Sequence, residues 1–237
     1  MLDLNDRVVL ISGANRGIGL AMAQRLYKAG CLLSLGVRNP KALDDFLEGK
    51  DHNRIAVCAY DAQDWNSHKA WVKTTIARFG AIHALVNNAG IGSSMTLRTI
   101  NEAELDAIWA VNCKAPLHMI QQVLPYLEQT GTGRIINIAS LSGKRVRNDH
   151  IAYNMSKFAV LALSHATRRI GWEKGVRCTA LCPSFVLTDM TRGTDKIAQA
   201  DMIDPHDLAE IAATLMALPN SASIAEIMVN CRLEDTV

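Results

Sequence analysis

Residues Arg7 to Ala21 read RVVLISGANRGIGLA, and the order of their parts decides the fold. Val8 to Ile11 form a short, mostly β-branched apolar run, the pattern of a buried strand. Gly13, Gly17 and Gly19 fall where that strand would end and a helix over about 17–29 would begin. Glycine permits the turn and a close approach to the backbone, and the helix N-terminus beyond it attracts negative charge. Isolated glycines also pack helix against strand, so the loop alone is a weak sign. Strand, turn and helix in sequence make a pyrophosphate cradle the better reading. The spacing Gly-x-x-x-Gly-x-Gly lacks the Lys-Ser/Thr pair of a nucleoside-triphosphate loop.

Outward from this stretch the alternation continues to the end of the chain. The apolar runs CLLSLGV, RIAVCAY, IHALVNN, GRIINIAS, GVRCTALCP and IAEIMVN are separated by helical patterns near 40–48, 64–79, 101–128, 151–173 and 205–217. The runs are apolar throughout rather than alternating, as strands covered by helices on both faces require. This predicts an α/β fold, a doubly wound parallel sheet of about seven strands forming a single domain over 1–237. In such a sheet ligands bind beyond the carboxyl ends of the strands. The stretch TDMTRGTDKIAQADMID, 188–204, has no clear period and joins a strand end to the next helix. It is a candidate substrate lid, with a plain surface connection as the competing reading.

Composition narrows the partners. With 49% hydrophobic and 20% charged residues the chain belongs with globular proteins rather than disordered ones. A net charge of +2 and 5% aromatic residues, with no basic stripe, argue against nucleic acid and for a small molecule. No apolar run approaches a membrane span, and Met1 to Arg7 lack the form of a signal peptide, so no membrane partner and a cytoplasmic location are expected. Cysteines at 31, 58, 113, 178, 182 and 231 lie mostly in apolar runs without Cys-x-x-Cys or a His pairing at metal spacing. They read as small buried hydrophobes, and no metal is expected. Cys178 and Cys182 would share a strand face beyond the reach of a disulfide.

The end of the second strand bears on which dinucleotide is bound. An acidic residue there would bond a ribose 2′-hydroxyl, whereas an arginine can take a 2′-phosphate. Arg38, in SLGVRNP, holds the place 19 residues beyond Gly19. Arg16 in the glycine loop is a second cation able to reach the same phosphate, and guanidinium forks suit phosphate oxygens. NADP(H) rather than NAD(H) is the expectation; the bland alternative is two solvated surface charges.

Tyr153 and Lys157 stand four apart in IAYNMSKFAV, within a predicted helix. Positions so spaced share a face, so the lysine can sit close to the phenol. A nearby cation favours the phenolate, which makes Tyr153 a suitable general acid toward a carbonyl oxygen and a base in the reverse direction. Ser140, in NIASLSG, stands 13 positions before the tyrosine and would hydrogen-bond the substrate oxygen.

Together these motifs resemble the short-chain dehydrogenase/reductase family over nearly the whole chain. The likeness rests on Gly13-Ala14-Asn15-Arg16-Gly17-Ile18-Gly19, on Asn87-Asn88-Ala89-Gly90, on Asn112 in AVNCKAP, on Ser140, and on Tyr153-x-x-x-Lys157. It implies a Rossmann-like fold and a catalytic set of Asn112, Ser140, Tyr153 and Lys157. Lys157 would also bind the nicotinamide ribose, and Asn112 would help hold a water linking the lysine to solvent. Cofactor contacts would come from Gly13, Asn15, Arg16, Gly17, Ile18, Gly19 and Arg38, from Asp61 beside the adenine, from Asn88 and Gly90, and from Pro183 and Thr188 near the nicotinamide. Asp61 also reads as a helix cap, and Asn-Gly pairs often make turns. His118, His150 and His206 are lone histidines, more often structural than catalytic.

The chain departs from the family pattern in two places. Pro183-Ser184 replaces the usual Pro-Gly, and the end CRLEDTV lacks the usual Gly-Gly tail, which makes a homotetramer less secure than a homodimer through the helices of 101–128 and 151–173. Lys144, Arg145 and Arg147 lie between Ser140 and Tyr153 and suggest an anionic substrate group, against the reading of a solvated basic loop. Three functions compete: an NADPH-dependent carbonyl reductase or alcohol dehydrogenase on a small ketone or hydroxy compound, a 3-oxoacyl-carrier-protein reductase, and a catalytically idle dinucleotide sensor.

Overall fold

The computed structural model describes residues 1–233. Seven parallel strands form one sheet in the order β3-β2-β1-β4-β5-β6-β7. They are β1 (Val8–Ser12), β2 (Leu32–Val37), β3 (Ile55–Ala59), β4 (Ala84–Asn87), β5 (Arg134–Ile138), β6 (Arg177–Pro183) and β7 (Glu226–Val229). The helices between them are α1 (Gly17–Lys28), the short α2 (Asp44–Leu47), α3 (Trp65–Phe79), α4 (Glu102–Trp109), α5 (Ala115–Gln129), α6 (Ile151–Gly171) and α7 (Pro205–Ala217). Among the described residues no helix is long and apolar enough to cross a membrane.

β1 shows why the strand sequences are continuously apolar. Val9 and Ile11 point to a core shared with Met22 and Leu26 of α1 and Leu208 and Ala212 of α7. Val8 and Leu10 point the other way, to Trp71 of α3 and Met119 and Val123 of α5. With helices on both faces, each strand must be apolar at every position. The ladder runs outward from β1 in both directions, to β2 and to β4, so the order reverses there and leaves a crevice above their carboxyl ends.

Helix starts follow local chemistry. Asp64, Asn101 and Asp204 accept hydrogen bonds from the second or third amide of α3, α4 and α7, and Pro205 takes the first position of α7. The helical pattern of 40–48 resolves into a 3-10 turn, Pro40–Leu43, and the single turn of α2. The single helix expected over 101–128 is interrupted. Between α4 and α5 lies a π-turn, Ala110–Lys114, in which the Ala115 amide reaches back five residues to the Ala110 carbonyl. Pro116 has no N–H to offer the Asn112 carbonyl and its ring would press on it, which accounts for the widening there.

The segment after β6 is stapled at its base. Val186 and Ile203 form an isolated parallel bridge, with Leu187 N–H donating to the Ile203 carbonyl at 2.9 Å and Ile203 N–H to the Phe185 carbonyl at 3.0 Å. The candidate lid is therefore a loop with joined ends. The chain end expected to lack a Gly-Gly tail falls partly at 234–237, outside the described residues.

Candidate active site

The glycine loop, Arg38, Asp61, Asn88, Ser140 and Pro183 lie at or just beyond the carboxyl ends of β1 to β6 in turn. Two side chains stitch the β1 and β4 ends together beneath the crevice. Asn88 donates from Nδ2 to the Ser12 carbonyl at 2.9 Å and the Gly13 carbonyl at 3.0 Å. Ser12 Oγ accepts from the Asn88 and Ala89 amides, both at 3.0 Å. Asn88 thus acts on the glycine loop from below.

That loop has the shape expected for a pyrophosphate. Gly13 and Gly17 take left-handed backbone, φ 67° and 52°, where a side chain would be strained. A Cβ on Gly19 would lie 2.3 Å from the Gly13 carbonyl oxygen, so only glycine lets α1 start this close to the loop. No side chain caps the start of α1, leaving its first amides for an anion. Asn15 and Ile18 are half-buried in the same loop. These features fit a dinucleotide.

The two arginines are placed differently. Arg38 is exposed just past β2 and, among the described residues, makes no ion pair. Arg16 donates from Nη1 to Asp189 Oδ2 at 3.2 Å, a contact reaching across 173 residues to the candidate lid. Asp61, past β3, is exposed; one carboxylate oxygen accepts from the Gln63 amide at 2.9 Å, and the helix cap is Asp64 instead.

The catalytic candidates converge on α6. Lys157 is 7% exposed, lies with Nζ 5.5 Å from the centroid of the Tyr153 ring, and donates to the Ile138 carbonyl at the end of β5 at 2.8 Å. Ser140 begins a 3-10 turn, Leu141–Gly143, that packs on α6, and its Oγ accepts from the Ser142 amide at 3.1 Å. The hydroxyl proton is left to donate. A Cβ on Gly143 would stand 2.6 Å from the Lys157 carbonyl oxygen, so this turn lies directly against the lysine's own backbone.

Asn112 sits in the π-turn, 2% exposed, and clamps three elements. Its Oδ1 accepts from the Ile91 amide and its Nδ2 donates to the Ile91 carbonyl, both at 2.9 Å, while Nδ2 also donates to Ser156 Oγ at 3.0 Å. Ser156 Oγ in turn donates to the Tyr153 carbonyl. Gly90 lies beside this clamp: a Cβ there would be 3.4 Å from Asn112 Oδ1 and 4.0 Å from Lys157 Nζ. The loop after β4, the π-turn and α6 are thus held at one point. The signal for it in the sequence was Pro116.

Pro183 closes β6, and Thr188 rests on the glycine loop, with its Cγ2 3.1 Å from a Cβ placed on Gly17. Ser184, where a glycine was expected, adopts no left-handed backbone and keeps its amide bonded to the Val229 carbonyl at 2.8 Å. The serine is accommodated without strain. Beyond Thr188, Met190 leans over Gly92 past the end of β4.

Of the basic loop, Lys144 is engaged elsewhere. Its Nζ contacts Glu226 Oε2 at 2.6 Å, and Glu226 also meets His165. Burial raises the Glu226 carboxyl, but the hydrogen bonds and charges of Lys144 and His165 outweigh it and hold the group below its ordinary range. Arg145 is half-buried and Arg147 exposed. Nothing in the local sequence signalled the Lys144–Glu226 or Arg16–Asp189 pairs.

Each of the three histidines is placed by its own neighbours. His118 is buried against His68, Nδ1 to Nδ1 at 2.9 Å; His206 meets Asp204 and Gln24; His150 immediately precedes α6. Among the described residues no group of three or more His, Cys, Asp or Glu could hold a metal ion, and all six cysteines are free thiols. Burial pushes the Cys178 thiol up to about 12 and Cys182 to about 11, which keeps them inert.

The chain matches a family model described as short chain dehydrogenase over residues 7–198. An agropine synthesis reductase of Rhizobium rhizogenes is 41% identical over 228 residues, covering 96% of this chain and 53% of that protein. The chain therefore spans about half the length of that relative. An uncharacterised oxidoreductase of Staphylococcus saprophyticus is 32% identical over 233 residues, covering 97% of this chain and 99% of the relative. A solved structure of a 3-ketoacyl-(acyl-carrier-protein) reductase from Brucella melitensis, complexed with NADH, superposes with a TM-score of 0.88 at 27% identity, covering 96% of this chain and 98% of that one.

Proposed function

The chain belongs to the short-chain dehydrogenase family, and from this premise we propose that it is an oxidoreductase, an NADPH-dependent carbonyl reductase or alcohol dehydrogenase acting on a small ketone or hydroxy compound. The observation that carries the reading is the buried Lys157 ammonium beside the Tyr153 ring, with the Ser140 turn seated on the lysine's backbone.

A nicotinamide dinucleotide held there would supply or accept the hydride. The glycine loop and the α1 N-terminus would hold the pyrophosphate, Arg16 and Arg38 a 2′-phosphate, Asp61 the adenine side, Asn88 and Gly90 the cofactor past β4, and Pro183 and Thr188 the nicotinamide end. Ser140 donates a hydrogen bond from its hydroxyl to the substrate oxygen and so fixes the carbonyl in position. Tyr153 delivers the phenolic proton to that oxygen as charge develops on it, and takes the proton back in the oxidative direction. Lys157 stabilises the phenolate that remains. Asn112 keeps the loop after β4 and α6 in register around them.

NADP(H) is favoured here by the two arginines and by the lack of an acidic residue at the end of β2. The relatives named reductases support the reductive direction. A 3-oxoacyl-carrier-protein reductase is the second reading, favoured by the superposition on the Brucella melitensis 3-ketoacyl-(acyl-carrier-protein) reductase. The segment 188–204 is proposed as the substrate lid, since Met190 already leans over Gly92 and the ends are joined at Val186 and Ile203. A homo-oligomer through the exposed Leu117, Met155 and Phe158 of α5 and α6 belongs to the same proposal, as does a cytoplasmic setting, which suits six free thiols.

NADPH consumption across a panel of ketones and acyl thioesters, with Tyr153→Phe as control, tests the reading. Turnover on ketones that Tyr153→Phe abolishes supports it; turnover confined to thioesters selects the second reading. Tight NADPH binding with no turnover anywhere would instead mark an idle sensor.

A further inference from the structure

Arg16 is a strong candidate for a 2′-phosphate contact, yet its guanidinium already has an anion. Asp189 Oδ2 lies 3.2 Å from Arg16 Nη1, and Asp189 Oδ1 lies 3.3 Å from Arg192 Nη2. The backbone that carries the carboxylate is tied into a turn. The Arg192 and Thr191 amides both donate to the Thr188 carbonyl, and Thr191 Oγ1 donates to the Val186 and Thr188 carbonyls. Thr188 itself lies close over Gly17, which sets the Asp189 backbone beside the start of α1 and within reach of Arg16.

We infer that Asp189 is a specificity-determining residue for the cofactor: its carboxylate competes with a 2′-phosphate for Arg16 and so restrains the preference for NADP(H) over NAD(H). The inference rests on the NADP(H) reading above. A neutral 2′-hydroxyl has no call on a guanidinium held by a carboxylate, so NAD(H) binding leaves the pair intact. A 2′-phosphate must take Arg16 from Asp189 or share it, and in sharing it brings a dianion close to the Asp189 carboxylate. The cost falls on the phosphorylated cofactor alone. The pair is exposed, 66% and 47%, so it is weak enough to be displaced and the restraint is modest. Arg192 offsets part of the carboxylate charge, and Arg38 stands apart from the contest.

The experiment is a fluorescence titration of NADPH and NADH against wild type, Asp189→Asn, Arg16→Gln and the double variant. Asparagine keeps the size of the side chain and removes its charge. Asp189→Asn is expected to tighten NADPH on the order of threefold and leave NADH unchanged, with the gain absent in the Arg16→Gln background. Should NADPH and NADH shift together, or neither shift, while Arg16→Gln still weakens NADPH selectively, Asp189 has no discriminating role and the inference is overturned. Should Arg16→Gln leave the NADPH to NADH ratio untouched, the failure lies instead in the assignment of Arg16 to the 2′-phosphate, and the inference falls with it.

Discussion

Gly143 lies so close to Lys157 that a Cβ on it would meet the lysine's carbonyl oxygen at 2.6 Å and its carbonyl carbon at 2.8 Å. Both atoms belong to helix backbone, so the turn rather than the helix must give way. Ser140 begins the same turn, and any shift there moves its hydroxyl relative to Tyr153. Gly143→Ala is therefore expected to lower kcat by about 10- to 100-fold through misplacement of Ser140. It should cost about 1–3 kcal/mol of stability by overpacking. Steady-state kinetics and urea unfolding check both, with cofactor Kd expected to stay at its wild-type value.

Arg38 carries the second prediction. Exchanging it for aspartate removes a cation and installs the acidic group that suits a ribose 2′-hydroxyl. Arg38→Asp should raise the KM for NADPH by about tenfold or more, the worth of a charge-assisted contact, and lower that for NADH. An unchanged ratio of kcat/KM for the two cofactors would refute the role.

Much of this arrangement is legible in the sequence, for identifiable reasons. Val8 to Ile11 announce a central strand because both faces of β1 are covered, and Gly13, Gly17 and Gly19 announce the loop because no other residue fits there. Helix starts follow from Asp64, Asn101 and Asp204, whose caps are local. The π-turn at Asn112 is hidden, since hydrophobic periodicity runs smoothly through 101–128 and the two prolines there, Pro116 and Pro125, do not tell the π-turn from a helix that carries on past Pro125. The pairs Arg16–Asp189 and Lys144–Glu226 span 173 and 82 residues. Neither shows in any local pattern, because tertiary packing alone brings the partners together.

Substrate charge gives the third prediction. Arg145 and Arg147 follow Ser140 in the basic loop, and in the anionic reading they would meet the charged group of the substrate. Arg145→Ala and Arg147→Ala should reduce kcat/KM for carboxylated ketones by about tenfold, and more than for neutral ketones of the same size. Lys144→Ala should instead lower stability without changing substrate preference, because it strips a partner from a partly buried carboxylate. Equal losses on neutral and carboxylated ketones with both arginine variants would sink the anionic reading.

The buried histidine pair gives a pH dependence of stability whose sign can be worked out. His68 Nε2 faces the Asp61 carbonyl at 3.0 Å, which can only accept, so Nε2 carries the proton and Nδ1 must accept from His118 Nδ1–H. A proton added to His68 has only Nδ1 to occupy, and there it would set donor against donor. Burial lowers both pKa values below the usual 6.5; for His68 the Asp61 and Asp64 groups oppose it, and for His118 the His68 and Lys69 charges add to it. The unfolded chain thus binds more protons than the fold once pH drops below about 6.5, and stability is lost from there downward. His83, also lowered by burial, contributes in the same window, whereas the depressed carboxyls of Asp204 and Glu226 act only at lower pH. Urea midpoints at pH 7.5 and pH 5.5 should differ for wild type. The difference should shrink in His118→Asn, whose amide can still donate to His68 but cannot take up a proton. An unreduced difference would assign the acid sensitivity to His83 or to groups outside the pair.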